Sequence, residues 1–560
     1  MIVWLPRFLL VFCLAFMACA VDVESEQPEA DKGNFDPDHI VQVALTMADS
    51  DWQALREQSR SFITEFAGDC RAEPFQSPYT YFHASITMDD QQLPDVGVRK
   101  KGFIGSQSLD KPGFRINLDE YVEGAELFGK DNLTLNNSVQ DSSLIRQCLA
   151  YSLFREAGLP ASRCNFARVS MNGEDLGIYV HVEPVKRSFL RSHFGEDEGH
   201  LYEGTISDFR EDWYRTYEPK TETTDPAYGP ILSLMQDIGP GRDKAAALSA
   251  HFDLDELLTF LAMETIIGHW DGYGGNRNNH YVYVDAAQGK FHFIPWGVDG
   301  VMIPRRVDEA PYFKGVLAHH ILGDRSLSQQ YENRLTSLLD TVWNEERIGV
   351  EISRMEALLE SEIELGDILR EIDNVREFVI MRRQALQATL PAQNDMLEPA
   401  FCLEHKGEID ARFETTWASL GTNPNITELG ELDWTMQWEG AAMRFASEGV
   451  AAGYNDQNKP MLVLLGILDP SEPSMFIPYL GFDPDRVRTG ERIPIKAMGQ
   501  RSRANQAEGG LLYRGNVSRG QIVPAGSMSG GFLTFEEFEK RPGAPVVGRF
   551  QTDIYGWEQR

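Results

Sequence analysis

The chain changes character once, near residue 394, and that break limits the folds open to it. Residues 327–390 read as long helices rich in Glu, Arg and Leu, and Pro391 ends them. Beyond the break every patterned run is short and bounded by turn residues: TMQWEG, MLVLLGIL, RIPIKAMG, GLLYRG, GQIVPAG, GGFLTFEEF and PVVGRFQTDIYGW. Alternation at that spacing predicts an all-β sandwich- or barrel-like domain over 396–560. The region before it, 37–392, mixes strand and helix patterns and predicts an α+β domain. At 560 residues the chain is long enough for a core in each.

Within the first domain, HIVQVALTM, YFHASITM, GVRKKGF, FRINLDEY and NLTLNNS read as strands. DSDWQALREQSRSF predicts a helix capped by Asp49 or Ser50. DSSLIRQCLAYSLFREAGLP predicts an amphipathic helix with Asp141 at its start and Gly158 just beyond its end. NFARVSMNGEDLGIYVHVEPV predicts a hairpin turning at N-G-E-D. A helix over 254–268 delivers the chain to Asp271, and the strands YVYV and KFHFIPW follow.

The N-terminus reads MIVWLPRFLLVFCLAFMACA: Arg7, an apolar run, then small residues. That is the pattern of a signal peptide over 1–20, too short for a mature membrane span. F-M-A-C resembles a lipobox with Cys19 as the lipidated residue, and A-C-A fits an ordinary cleavage site. The polar, acidic stretch 21–36 favours a tethered lipoprotein over a freely secreted or periplasmic protein. Of six cysteines, Cys70, Cys148, Cys164 and Cys402 lie beyond the signal region; outside the cytoplasm they would form one or two disulfides. The net charge of −33 argues against nucleic acid as a partner, since phosphate backbones need a basic footprint. It does not exclude ATP, which needs only a few local cations and a metal.

Candidate chemistry concentrates in 270–302, WDGYGGNRNNHYVYVDAAQGKFHFIPWGVDGVM. It offers Asp271, then Asn276, Asn278 and Asn279, then two strands, then Asp299. Two carboxylates and a carboxamide at strand ends suit magnesium-dependent phosphoryl transfer: one accepts a proton, the others hold the metal. A hairpin with polar turns accounts for the same spacing. Upstream, Lys100 and Lys101 precede G-F-I-G-S, where glycines permit close backbone approach to phosphates. A solvated basic edge strand is the plainer reading of that run. Lys111 and Arg115 are further cationic candidates. Glu183 shares a strand face with Tyr179 and His181 and is a candidate to orient the lysine. His269, His280 and His292 are candidates for a transition-metal site with Asp271 or Asp299, although their spacing matches no metal site. No G-x-S-x-G or H-E-x-x-H occurs.

The order V-R-K-K-G (98–102), D-S-S-L-I-R (141–146), E-A-G-L-P (156–160), G-I-Y-V-H-V-E (177–183), Asp271, Asn279 and P-W-x-x-D ending at Asp299 resembles the CotH protein-kinase family. The resemblance covers roughly residues 35–390. It implies an atypical protein-kinase-like fold that transfers the γ-phosphoryl of ATP to Ser or Thr of exported proteins, with magnesium or manganese. It places Asp271 and Lys101 as catalytic residues and Lys101, Lys111 and Glu183 at the nucleotide. Asn279 and Asp299 fall at the metal, with Asn276 as a rival ligand by its five-residue spacing from Asp271. Gly297 stands where the family often has Asp. The alternative is a non-catalytic envelope scaffold or adhesin on a degenerate kinase-like fold. Carbohydrate or protein binding by the C-terminal domain is compatible with both.

Overall fold

The computed structural model describes residues 35–221, 227–309, 313–388, 402–420, 429–455, 457–469, 474–497, 506–516 and 521–557. The signal segment, Cys19 and Pro391 lie outside these residues.

Seven strands form a closed barrel: β1 (Ile40–Thr46), β2 (Phe82–Met88), β3 (Gln91–Lys101), β4 (Gly113–Asn117), β5 (Asn132–Asn136), β6 (Cys164–Met171) and β7 (Glu174–Val182). Their order around the wall is β1-β2-β3-β4-β5-β7-β6, and β6 returns parallel to β1. Alternation turns Val41, Val43 and Leu45 of β1 inward, onto Ile86, Val98, Phe114, Ile116, Leu135, Val169 and Tyr179. The expected β6–β7 hairpin turns at Asn172 and Gly173, both at positive φ (52° and 83°), which matches the twist of the flanking strands.

The outer face of β6 and β7 packs on a second core through Phe166, Ile178, Val180 and Val182. That core is built from helix Arg146–Glu156, helix Leu254–Ile267 and a four-stranded sheet of order β11-β10-β8-β9. The sheet comprises β8 (His200–Gly204), β9 (Tyr217–Pro219), β10 (His280–Val284) and β11 (Phe291–Pro295). Phe260 of the helix lies 4.8 Å from Phe293 of β11 and 6.0 Å from Phe154. Helices Arg325–Thr341, Glu345–Glu360 and Asp367–Ala388 complete this half, as the sequence predicts.

Two predicted caps differ. Helix Asp49–Glu57 starts after Ala48, with no side-chain cap. Asp141 is not the cap of the next helix, which begins at Arg146. It is buried five residues earlier, where its carboxylate accepts from Ser143 N (3.0 Å) and Arg146 N (2.9 Å) and pairs with the Arg146 guanidinium (2.8 Å).

Beyond residue 402 the described residues carry strands alone. They form one twelve-stranded sheet in which Pro545–Trp557 pairs with both Leu403–Ser419 and Gln521–Phe538, so the pairings close on themselves. Two expected strands, GQIVPAG and GGFLTFEEF, are one long strand, Gln521–Phe538, whose pairing to Pro545–Trp557 shifts register between Ser529 and Phe532. Gly530 and Gly531 sit there at positive φ, so the turn-like sequence is a bulge. Cys148 bonds Cys164, tying a helix to β6, and Cys70 bonds Cys402, tying the barrel half to the first strand of this sheet. No described helix is long and apolar enough to cross a membrane.

Candidate functional site

Helix Leu254–Ile267 begins at Asp253, whose carboxylate accepts from Asp255 N and Glu256 N, and ends at Gly268 in the left-handed region. Three residues later stands Asp271, on a loop held by buried carboxylates. Glu264 accepts from Tyr273 N (2.9 Å) and Gly274 N (2.8 Å). Asp208 accepts from the Tyr273 hydroxyl (3.0 Å) and Val316 N (3.1 Å). A Cβ on Gly272 would lie 2.1 Å from Glu264 Oε1, and one on Gly275 1.9 Å from Trp270 O, so the glycines are steric requirements of this loop. The Asp271 carboxylate accepts from Asn276 Nδ2 (2.9 Å), Asn278 Nδ2 (3.3 Å) and Asn279 Nδ2 (2.7 Å). Burial raises its pKa, and the three amides and His269 oppose that rise.

Asn279 leads into β10, which pairs antiparallel with β11 so that His280 faces Pro295. Trp296 N donates to Asn279 O (3.1 Å), placing Asn279 against Trp296 and Gly297. With its Nδ2 on Asp271, Asn279 turns Oδ1 towards Gly297: a Cβ there would lie 2.4 Å from that oxygen. Two residues on, Asp299 is buried, 7% exposed. Asn136 Nδ2 at the end of β5 lies 3.5 Å from its carboxylate and donates to Gln147 Oε1 (2.9 Å). Burial pushes Asp299 up to about 6; the Lys101 charge opposes this and the nearby Asp141 adds to it. Lys101, the last residue of β3, is pushed down by burial, with Asp299 and Glu203 opposing and Arg115 adding. The structure thus brings together Lys101 and Asp299, from opposite sides of the seam between barrel and helical half.

Other expected residues are placed elsewhere. Lys111 Nζ donates to Ile178 O (2.6 Å) and lies 4.9 Å from the Tyr179 ring centroid. Burial lowers it to about 8. Glu183 does not orient Lys101. Its carboxylate pairs with Arg163 (2.6 Å) and Lys130 (3.4 Å); burial would raise its pKa, and these cations hold it below the ordinary value. Lys100 points into the wall, donating to Arg56 O and Gln58 O. The three histidines do not converge. His280 bonds the Tyr217 hydroxyl and Asn278 O, His292 bonds Glu256 and Asp285, and His269 lies 3.4 Å from Glu264. Among the described residues no three His, Cys, Asp or Glu side chains form a metal-holding group.

Glu203 on β8 is a member of the site that pattern reading missed. It faces Lys101, pairs with Lys220 (2.6 Å) and bonds Tyr281, its cross-strand neighbour on β10. Its only signal is a lone acid in the apolar run L-Y-E-G, since its partners lie 17 to 102 residues away. Asn136 and Gln147 are equally silent in the sequence.

The donor set fits a divalent cation shared with a polyphosphate. Such an ion takes one or two carboxylates and completes its shell with phosphate oxygens and water, so it needs no cluster of three acids. The burial that raises Asp299 is a cost that a bound cation would relieve, and anionic phosphates would likewise keep half-buried Lys101 protonated.

Residues 98–370 match the family described as CotH kinase protein. The chain is 26% identical over 288 residues to Inner spore coat protein H of Bacillus subtilis (strain 168), a match covering 46% of this chain and 78% of that protein. It is 22% identical over 275 residues to Invasin CotH7 of Rhizopus delemar, covering 44% of this chain and 46% of that protein, so it spans under half of that relative's length. The crystal structure of a Helicobacter pylori proinflammatory kinase CtkA aligns over 46% of this chain and 87% of that one, with 9% identity and a TM-score of 0.24, a superposition too loose to carry an argument. The matched segment runs from within β3 to within helix Asp367–Ala388 and contains Lys101, Glu203, Asp271, Asn279 and Asp299. Residues 98–370 are thus similar to the CotH kinase protein family, and the C-terminal all-β region lies outside the match.

Proposed function

We propose that this chain is an extracytoplasmic kinase that transfers the γ-phosphoryl group of ATP to Ser or Thr hydroxyls of exported proteins. The observation that carries the reading is that half-buried Lys101 lies near enough to buried Asp299 for their charges to interact, with Asp299 two residues past Gly297, against which the Asp271-bound Asn279 packs. Magnesium or manganese, when bound, supplies charge neutralisation on the nucleotide phosphates. Asp299 would hold the ion, with Asn279 Oδ1 as the second donor, because its amide nitrogen is already committed to Asp271. Asn276 turns its own nitrogen to Asp271 and is the weaker candidate. Lys101 would hold phosphate oxygens. Asp271, fixed by three amides, would orient the acceptor hydroxyl and take its proton. Lys111 and Glu183 serve the wall of the barrel in this reading.

A second reading, a surface scaffold or adhesin without activity, is favoured by Gly297. The position often acidic in the family has neither a side chain nor room for one here. Both readings place the protein outside the cytoplasm, anchored through a diacylglyceryl group on Cys19. Mass spectrometry of the mature N-terminus tests the anchor, and an unmodified Val21 terminus would remove it.

Calorimetry with ATP and each metal, beside a phosphotransfer assay, tests the function. Asp299→Ala is expected to abolish metal-dependent nucleotide binding, and Lys101→Ala to weaken it. Asp271→Ala is expected to bind nearly as wild type and to transfer nothing. A wild-type protein that binds no nucleotide with either metal leaves the scaffold reading.

A further inference from the structure

The C-terminal sheet contains a cavity of about 860 Å³ that the family match does not reach. Its volume falls within the range of sites that enclose a small organic ligand, ~300–1,000 Å³. Two half-buried tyrosines line it, Tyr454 and Tyr479. Tyr479 stands on a three-residue strand, Tyr479–Gly481, and presses so closely on Gly510 that a Cβ there would lie 2.2 Å from its ring. Tyr454 is held edge-on by Trp417, with ring centroids 5.2 Å apart. Both rings are therefore fixed before any ligand arrives, and aromatic faces so held contribute contact area with little loss of side-chain freedom.

The three acids of the lining are each paired with a base, and Lys459 adds one further cation. Asp483 pairs with Arg486 (3.1 Å), Asp485 with Lys540 (2.9 Å) and Glu508 with Lys496 (3.7 Å). A cavity whose acids are all paired gives little net attraction to a strongly charged ligand, yet its carboxylates keep lone pairs for hydroxyl donors. Asn455 adds a donor. Its Oδ1 accepts from Gln457 N (3.1 Å) and Lys459 N (2.8 Å), so the group it offers a ligand is its amide N–H. Fixed aromatic faces, paired charges and amide groups together match a neutral polyhydroxylated ligand with apolar C–H faces.

We propose that this cavity binds a neutral oligosaccharide through Tyr454 and Tyr479. The Cys70–Cys402 bond then ties a glycan-binding module covalently to the barrel half, holding the CotH segment at polysaccharide surfaces.

The test uses the full mature chain and calorimetry with cellotetraose, chitotetraose and mannotetraose, with polygalacturonate and heparin as anionic probes. Binding of at least one neutral tetrasaccharide is expected, weakened tenfold or more by Tyr479→Ala and by Tyr454→Ala. Nucleotide binding should be unchanged in both variants. Hydrogen–deuterium exchange on the wild type covers the case of variants that misfold: the sugar should slow exchange within 454–461 and 479–486. Three results overturn the proposal: no neutral tetrasaccharide binds, only the anionic probes bind, or protection falls elsewhere in the chain.

Discussion

Asn279 and Gly297 touch across the open end of the β10–β11 hairpin, so closely that a Cβ on Gly297 would lie 2.4 Å from Asn279 Oδ1. Gly297 also sits at φ +53°, where side chains other than Asn and Asp are disfavoured. The contact makes the glycine a condition for the Asn279–Asp271 hydrogen bond.

Restoring an acid by Gly297→Asp is therefore expected to displace Asn279 rather than to add a metal ligand. The strain and the lost hydrogen bond should together destabilise the protein by about 1–3 kcal/mol. Thermal melting and metal-dependent nucleotide binding check this. A Gly297→Asp protein that melts as wild type and binds metal more tightly would show that Asn279 yields freely.

His292 supplies the pH dependence. Its Nδ1 lies 2.9 Å from Glu256 Oε2 and its Nε2 lies 3.2 Å from Asp285 Oδ2, so both ring nitrogens face carboxylates. Burial lowers its pKa, but the two carboxylates outweigh burial and the net shift is upward. For a histidine with a raised folded-state pKa, the stabilisation is complete below the unfolded value of ~6.5 and is lost as pH rises through the folded value. His292→Gln should lower the melting temperature at pH 6, by about 1–2 kcal/mol in stability. The gap from wild type should close as pH rises past the folded-state pKa. A gap of constant size across that range would assign His292 a packing role only.

The parts of this fold legible in the sequence are those written in local pattern. The alternation of β1, the Asn172-Gly173 turn and the Gly268 terminus are set by neighbours within a few residues. Of the candidate site, Asp271, Asn279 and Asp299 stand out in the sequence as two carboxylates and a carboxamide at strand ends, and the resemblance singles out Lys101 from its neighbour Lys100. Glu203 and Asn136 went unread because what selects them is the meeting of β3, β5 and β8, which no local period encodes. Glu183 misled for the same reason: its strand face was read correctly, but Arg163, twenty residues back, takes its carboxylate. Gly530 and Gly531 read as a turn because glycine permits a bulge and a turn equally well.

Asp299 is predicted to cost the metal-free protein stability. Burial holds it up to about 6 against ~3.9 unfolded. A carboxyl with a raised folded pKa favours folding least when ionised, so stability falls as pH rises between those values. At about 1.36 kcal/mol per unit, removing the charge could recover up to ~3 kcal/mol at pH 7. Asp299→Asn, in chelator, should therefore melt above wild type at pH 7 and no higher than wild type near pH 4, while losing metal-dependent nucleotide binding. A variant that melts lower at pH 7 would mean that attraction to the Lys101 charge outweighs the burial cost.

The last prediction concerns how the two halves are joined. A domain boundary near 391–400 predicts a protease-sensitive link that frees a β-rich fragment of ~160 residues, within the usual size range of domains. The Cys70–Cys402 bond and the backbone hydrogen bond from Gly68 N to Leu403 O (3.2 Å) lie just past that link. A single cut within 391–400 should therefore leave both pieces in one band on a non-reducing gel and separate them only after reduction. Cys402→Ser should release the fragment without reductant. The released piece is expected to keep its β circular dichroism, because Leu403–Ser419 pairs with Glu431–Trp438, Ser447–Tyr454 and Pro545–Trp557 inside its own sheet. A fragment that separates from the wild type without reductant would refute the disulfide. One that loses its structure on release would make the two halves a single folding unit.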